Sequence, residues 1–73
     1  MDDPYNLTDK EVEVLKLASE GLSNQEIAKL LYVRYSTVAQ HFHCAFRKLS
    51  VNNRTAAVRV AIRRGDIPPI GEA

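Results

Sequence analysis

Gln40, His41, His43 and Cys44 stand within one five-residue stretch. Between them they could ligate a metal, carry a reactive thiol or pair with the edge of a base. The metal chemistry fails first, on geometry. His41 and His43, two apart on a helix, point roughly 200° from each other and cannot share an ion. His41 and Cys44, three apart, could supply two ligands where a structural zinc takes four. Residues 27–65 contain no carboxylate, and the chain has no second cysteine. No metal and no other cofactor is therefore expected. A redox thiol needs a resolving partner that the sequence does not show. No nucleophile–base–orienter set and no glycine-rich phosphate loop is present, so no enzymatic reading follows.

Base recognition suits the residue types better. Gln40 can bond adenine bidentately, and His43 can donate to an acceptor on guanine. Ala39 offers only an apolar contact, for instance with a thymine methyl. These are the candidate base contacts. Ser36, Thr37, Arg47 and Lys48 are placed for phosphates, and Arg54 is a further anchor. Asn24 and Gln25 add amides beside the free N–H groups at the start of the preceding helix. Charge points the same way. Residues 1–26 hold seven acids against Lys10 and Lys16, a net of −5. Residues 27–65 hold eight bases and no acid, a candidate footprint for a polyanion. The alternative is a solvated basic face without a partner.

These side chains must be held by helices, and the sequence marks four starts. Thr8 and Glu11 make a capping box, with Leu7 and Val12 as its hydrophobic staple. Val12, Leu15 and Ala18 share the following face, widened by Val14 and Leu17, until Gly21 stops the helix. Ser23 and Glu26 repeat the box, with Leu22 and Ile27 as staple, and Ile27, Leu30 and Leu31 form the apolar face of a short second helix. The third start has staple spacing in Val33 and Val38, but the cap position holds Arg34. Arginine has no acceptor for the free N–H groups there, and its charge opposes the helix dipole. The third helix should run from about Tyr35 to Leu49, with Val38, Phe42, Ala45 and Leu49 inward and His41 bordering them. Asn53 caps a fourth helix through Arg64, ended by Gly65, with Ala57, Val58, Ala61 and Ile62 as its inner stripe. Pro68, Pro69 and Gly71 forbid further helix. The expected architecture is all-α, a four-helix bundle containing a helix-turn-helix, with tails at 1–6 and 66–73 around a domain at 7–65.

The bulk numbers agree with one small folded domain. Seventy-three residues at 45% hydrophobic content suit a single core and argue against disorder. A single cysteine forms no internal disulfide, and there is neither a membrane-length apolar run nor a signal-peptide pattern. A cytoplasmic protein is expected, with no membrane partner.

Leu7-Thr8, Glu11-Val12-Glu13-Val14-Leu15, Gly21-Leu22-Ser23-Asn24-Gln25-Glu26-Ile27-Ala28, Leu31, Thr37-Val38, His41, Lys48-Leu49, Val51 and Arg54 together resemble the LuxR/NarL/FixJ-type DNA-binding domain. The resemblance runs from residue 7 to about 65, in several separated blocks. It implies a three-helix core plus a fourth, dimerising helix, serving as the output domain of bacterial transcription regulators. It implies double-stranded DNA as partner, with the third helix in the major groove. In that family such a domain usually follows an N-terminal receiver or ligand-binding domain, although free-standing ones exist. Carried over, the base-reading positions fall on Ala39, Gln40 and His43, and backbone contacts fall near Asn24, Thr37, Lys48 and Arg54. The homodimer contact falls on Ala57, Val60, Ala61 and Arg64. Three positions depart from the pattern. Arg34 replaces a serine or threonine, Ala39 replaces a lysine, and Ala45 replaces a larger aliphatic residue. Arg34 and His43 could compensate for the missing lysine. Alternatively the scaffold is kept as a protein-interaction module, with the aromatics Tyr32 and Tyr35 exposed.

Overall fold

The first helix begins where a threonine and a glutamate satisfy each other's neighbours. Thr8 Oγ1 accepts from the Glu11 N–H at 3.2 Å, and Glu11 Oε1 accepts from the Thr8 N–H at 2.9 Å. This opens α1 (Asp9–Ser19) in a computed structural model that describes residues 6–69. Ser23 and Glu26 open α2 (Asn24–Leu31) in the same way. Arg34 opens α3 (Tyr35–Leu49) with no side-chain cap, and its first bonds are made by the Arg34 carbonyl alone. Asn53 caps α4 (Arg54–Arg64) by accepting from the Ala56 N–H at 2.8 Å. Among the described residues all the regular structure is helical, as the sequence patterns require.

The four helices of the described residues all end by one backbone device. A residue in the left-handed region closes the helix, and the N–H after it bonds to the carbonyl five residues back. The left-handed residues are Gly21, Tyr32, Ser50 and Gly65. The closing bonds run from Leu22 to Leu17, Val33 to Ala28, Val51 to Phe46 and Asp66 to Ala61. Glycine enters that region without penalty, whereas a side chain meets steric resistance there of about 1–2 kcal/mol. Ser50 is exposed, and its φ is +58°. Ser50→Gly should therefore stabilise the domain by about 0.5–1 kcal/mol, net of the glycine's extra freedom when unfolded. A thermal melt should rise by a few degrees, and a fall would show that the Ser50 hydroxyl matters more than its backbone.

α1 packs against each of the other three helices, α2 and α4 each lean on α3, and the core forms between them. Its centre is Val14 and Leu15 of α1, Ile27 and Ala28 of α2, Val38, Phe42, Ala45 and Leu49 of α3, and Ala57, Val58 and Ala61 of α4. The α3 stripe is the one its spacing predicts. Two inner faces differ from expectation. In α1 the centre lies on Val14 and Leu15, and Val12, Leu17 and Ala18 are half-buried at its margin. In α2 the helix turns Ile27, Ala28 and Leu31 inward and leaves Leu30 55% exposed. Ala28 and Leu31 take the inner positions beside Ile27, and Leu30 lies off that face.

The tail expected from residue 66 begins later than the sequence suggests. The Asp66 N–H closes α4, and Ile67, 4% exposed, completes the core. The prolines at 68 and 69 mark the end of that packing. The expected N-terminal tail at 1–6 lies outside the described residues except for Asn6, as do residues 70–73.

Candidate nucleic-acid interface

Two stripes run along α3 on opposite sides. Val38, Phe42, Ala45 and Leu49 are buried, and Ser36, Gln40, His43 and Arg47, each two residues earlier, are exposed. Two residues on a helix are about 200°, so burying one stripe aims the other at solvent. Arg34 and Tyr35 extend the exposed face at its N-terminal end. Thr37, Ala39 and His41 sit half-buried between the stripes. Gln40 Nε2 donates weakly to Cys44 Sγ one turn on, at 3.6 Å. Among the described residues no group of three or more His, Cys, Asp or Glu could hold a metal ion.

Beside this face lies an open cleft between α3 and the first turns of α2 and α4. It is lined by Asn24, Ala39, Phe42, His43, Phe46, Asn53, Arg54 and Thr55. Phe42 and Phe46 lie with ring centroids 6.0 Å apart and tilted. Asn24 is half-buried at the start of α2, and Gln25 beside it is exposed. Thr55, on the cleft's α4 side, had no signal in the sequence, since a threonine in the first turn of a helix is unremarkable.

Two residues that the sequence suggests as phosphate contacts are engaged within the fold. Lys48 Nζ donates to Glu11 Oε1 at 2.8 Å, across 37 positions of chain. Glu11 is 4% exposed. Burial pushes its carboxyl up, but the Lys48 ammonium and the Thr8 N–H and hydroxyl outweigh it and hold the carboxyl below the ordinary value of 4.5. The lysine is therefore the counter-ion of a buried carboxylate. Arg54 is likewise engaged. Its Nη1 donates to Asn24 Oδ1 at 2.9 Å, its Nη2 donates to the Leu22 carbonyl, and its guanidinium lies 4.9 Å from the centroid of the Phe42 ring.

The α4 surface also departs from the residues carried over by resemblance. Ala57 and Ala61, expected at a dimer contact, are 0% exposed and belong to the chain's own core. The periodicity reading, which placed both on the inner stripe, is the one the packing follows. Val60 is half-buried, and Arg64 Nε pairs with Asp66 of its own chain at 3.1 Å. The outward strip of α4 is Ala56, Arg59, Val60 and Arg63, at helical spacing.

Comparison with known proteins places this geometry. Residues 5–61 match the family model of bacterial regulatory proteins, luxR family. The transcriptional regulatory protein DegU of Brevibacillus brevis is 42% identical over 59 residues, 81% of this chain and 25% of that protein. The transcriptional activator protein BjaR1 of Bradyrhizobium diazoefficiens is 44% identical over 69 residues, 90% of this chain and 28% of that protein. The chain thus spans about a quarter of the length of these relatives. The structure of the transcription factor GerE superposes with a TM-score of 0.80 at 30% identity, covering 84% of this chain and 91% of that one.

Proposed function

The chain belongs to the luxR family of bacterial regulatory proteins, and from that premise we propose that α3 enters the major groove of double-stranded DNA and reads its sequence in transcription control. The observation that carries this reading is the exposed stripe of Ser36, Gln40, His43 and Arg47, set opposite the buried one on a helix 15 residues long. Gln40 and His43 supply base-edge donors and acceptors, and Ser36 and Arg47 flank them for phosphate. Thr37 and the amides of Asn24 and Gln25 support the backbone contact. The relatives are transcriptional regulators, and the domain acts here as the DNA-reading part of such a regulator. A receiver or ligand-binding domain would supply the signal. Among the described residues no helix is long and apolar enough to cross a membrane.

Binding as a pair of copies belongs to the same reading. The α4 strip of Ala56, Arg59, Val60 and Arg63 is the surface of that helix left for pairing, since Ala57 and Ala61 are occupied within the core.

Counterion release gives this reading a quantitative test. Of the eight bases in 27–65, Lys48 and Arg64 pair with acids and Arg54 is bonded within the fold. Lys29, Arg34, Arg47, Arg59 and Arg63 remain exposed. Arg59 and Arg63 lie on the pairing strip, so three to five phosphates are neutralised per chain, and log Kd should change with log salt by a slope of about 2.7–4.5 per chain bound. Sites selected from random duplexes, titrated with salt and weighed for stoichiometry, measure all three quantities. A selected site should bind two chains, and Gln40→Ala with His43→Ala should bring its affinity down to that of random duplex. If no duplex is preferred even at low salt, the scaffold serves protein interaction and the DNA reading fails.

A further inference from the structure

The large apolar side chains that the fold leaves in water are not scattered. Among the described residues they are Leu30, Tyr32, Val33 and Tyr35, exposed by 55%, 95%, 36% and 55%. All four fall within six consecutive residues, where α2 ends, the chain turns and α3 begins. Apolar residues exposed singly need no explanation, whereas a cluster marks a surface that another molecule covers. Tyr32 adds a second observation. It closes α2 with a φ of +57°, a conformation that glycine enters freely and a bulky side chain resists. The fold gains no packing from this ring, and its backbone would be better served by glycine. An exposed aromatic held at a strained position points to a role outside the fold.

We propose that this corner docks a partner protein, on a surface where apolar side chains are flanked by acids. The inference goes beyond the DNA reading and does not depend on it. Charge selects the partner. Lys29 and Arg34 are exposed at the same corner, and residues 27–65 contain no acid. Acidic flanks complement that field, while the apolar stripe covers Leu30, Tyr32 and Val33. The residue types suit a protein interface. Tyrosine buries a large rigid area and keeps its hydroxyl satisfied at the rim, and tyrosine and arginine are enriched among the residues that anchor such contacts. A duplex fits less well, since its phosphates reward Lys29 and Arg34 and leave Leu30, Tyr32 and Val33 in water. A second copy fits worse. A symmetric contact sets the patch against itself and brings Lys29 and Arg34 toward their counterparts with no acid between them.

The simplest surface of this kind is an amphipathic helix, and the probe is a synthetic one. Its leucines stand at i, i+3, i+4 and i+7, with glutamates on both flanks. A control peptide carries lysine in place of every glutamate. Fluorescence anisotropy with the whole chain should show the glutamate peptide binding at least about tenfold more tightly than the control. Leu30→Ser and Tyr32→Gly should each weaken that binding by about fivefold or more. Tyr32→Gly should do so while raising the melting temperature by a few degrees, because glycine relieves the backbone. A fall would assign the tyrosine to the fold and overturn the docking. Absent binding, equal affinity for the two peptides, or undiminished affinity in Tyr32→Gly also overturns it. Self-association of the free chain, or binding to vesicles of anionic lipid, that Tyr32→Gly abolishes would give the corner to a second copy or a membrane instead. Affinity for a selected duplex should stay within about twofold of wild type in both variants. A loss as large as the peptide's would assign the corner to DNA and overturn the proposal.

Discussion

Lys48→Met should destabilise the domain by about 3 kcal/mol, because it strands a buried carboxylate. For a chain of this size the total stability is roughly 4–10 kcal/mol, so the melting temperature should fall by well over 10 °C. Glu11 Oε1 accepts from Lys48 at 2.8 Å and from the Thr8 N–H at 2.9 Å. Methionine matches the lysine stem but leaves only the second bond. The partner variant Glu11→Gln, combined with Lys48→Met, keeps an acceptor for the cap and removes both charges, and it should recover most of the loss. The pH dependence carries a sign. The folded carboxyl lies below its ordinary value of 4.5, so the unfolded chain takes up the proton first. The stability from the pair is complete above pH 4.5 and is lost as pH falls from there through the folded value. Denaturant melts at several pH values should show this acid-side loss in the wild type and much less of it in the double variant. Unchanged stability in Lys48→Met, together with weakened DNA binding, would return the lysine to the phosphate role that its type suggests.

Arg54→Ala should cost about 3 kcal/mol as well, through a different loss. The guanidinium bridges the start of α2 to the start of α4 and covers the Phe42 ring. Hydrogen bonds from a charged donor contribute about 1.5–3 kcal/mol each, and a ring contact about 0.5–2 kcal/mol. These overlap in one side chain and do not add in full. Arg54→Lys should recover little, because one ammonium cannot bond Asn24 and Leu22 in a planar fork while lying over the ring. Chemical denaturation of the three proteins separates the cases. A loss below about 1 kcal/mol in Arg54→Ala, with a tenfold or greater drop in DNA affinity, would mean that the arginine contacts phosphate rather than organising the cleft.

Arg54 and Lys48 also show where the sequence stops being readable. Both capping boxes are legible because every participant lies within four residues, and local spacing decides the bond. The opposed faces of α3 are legible for the same reason, since its periodicity fixes both stripes. Glu11 reads correctly as a capping residue, but nothing near it in sequence shows that its other partner is 37 positions away. Arg54 reads as a free cation for the same reason, its partners lying 30 and 32 positions away. Ala57 and Ala61 carry a conflict between two readings. Periodicity turns them inward and resemblance turns them toward a second chain, and the packing of α4 on α1 and α3 follows periodicity. Ile67 escaped notice because it stands one residue before a proline pair, where a chain is expected to leave the fold. Tyr32 reads as an exposed aromatic, but its left-handed conformation escaped because such a helix end is ordinarily looked for at glycine. Its ring, 95% exposed, gives no packing reason for the choice.

That shared way of ending helices makes the four corners unequal under mutation. Gly21 and Gly65 have open space where a β-carbon would stand, so replacing either costs only the backbone strain of the left-handed region, about 1–2 kcal/mol. At Tyr32 and Ser50 that strain is already present, so exchanging one side chain for another changes it little and glycine relieves it. Two corners are therefore guarded against drift, and the other two are open to rewriting. The open pair brackets α3. The helix assigned to DNA reading is thus flanked by the two helix ends of this chain where substitution is cheapest, so the presentation of that helix can be adjusted without disturbing its core.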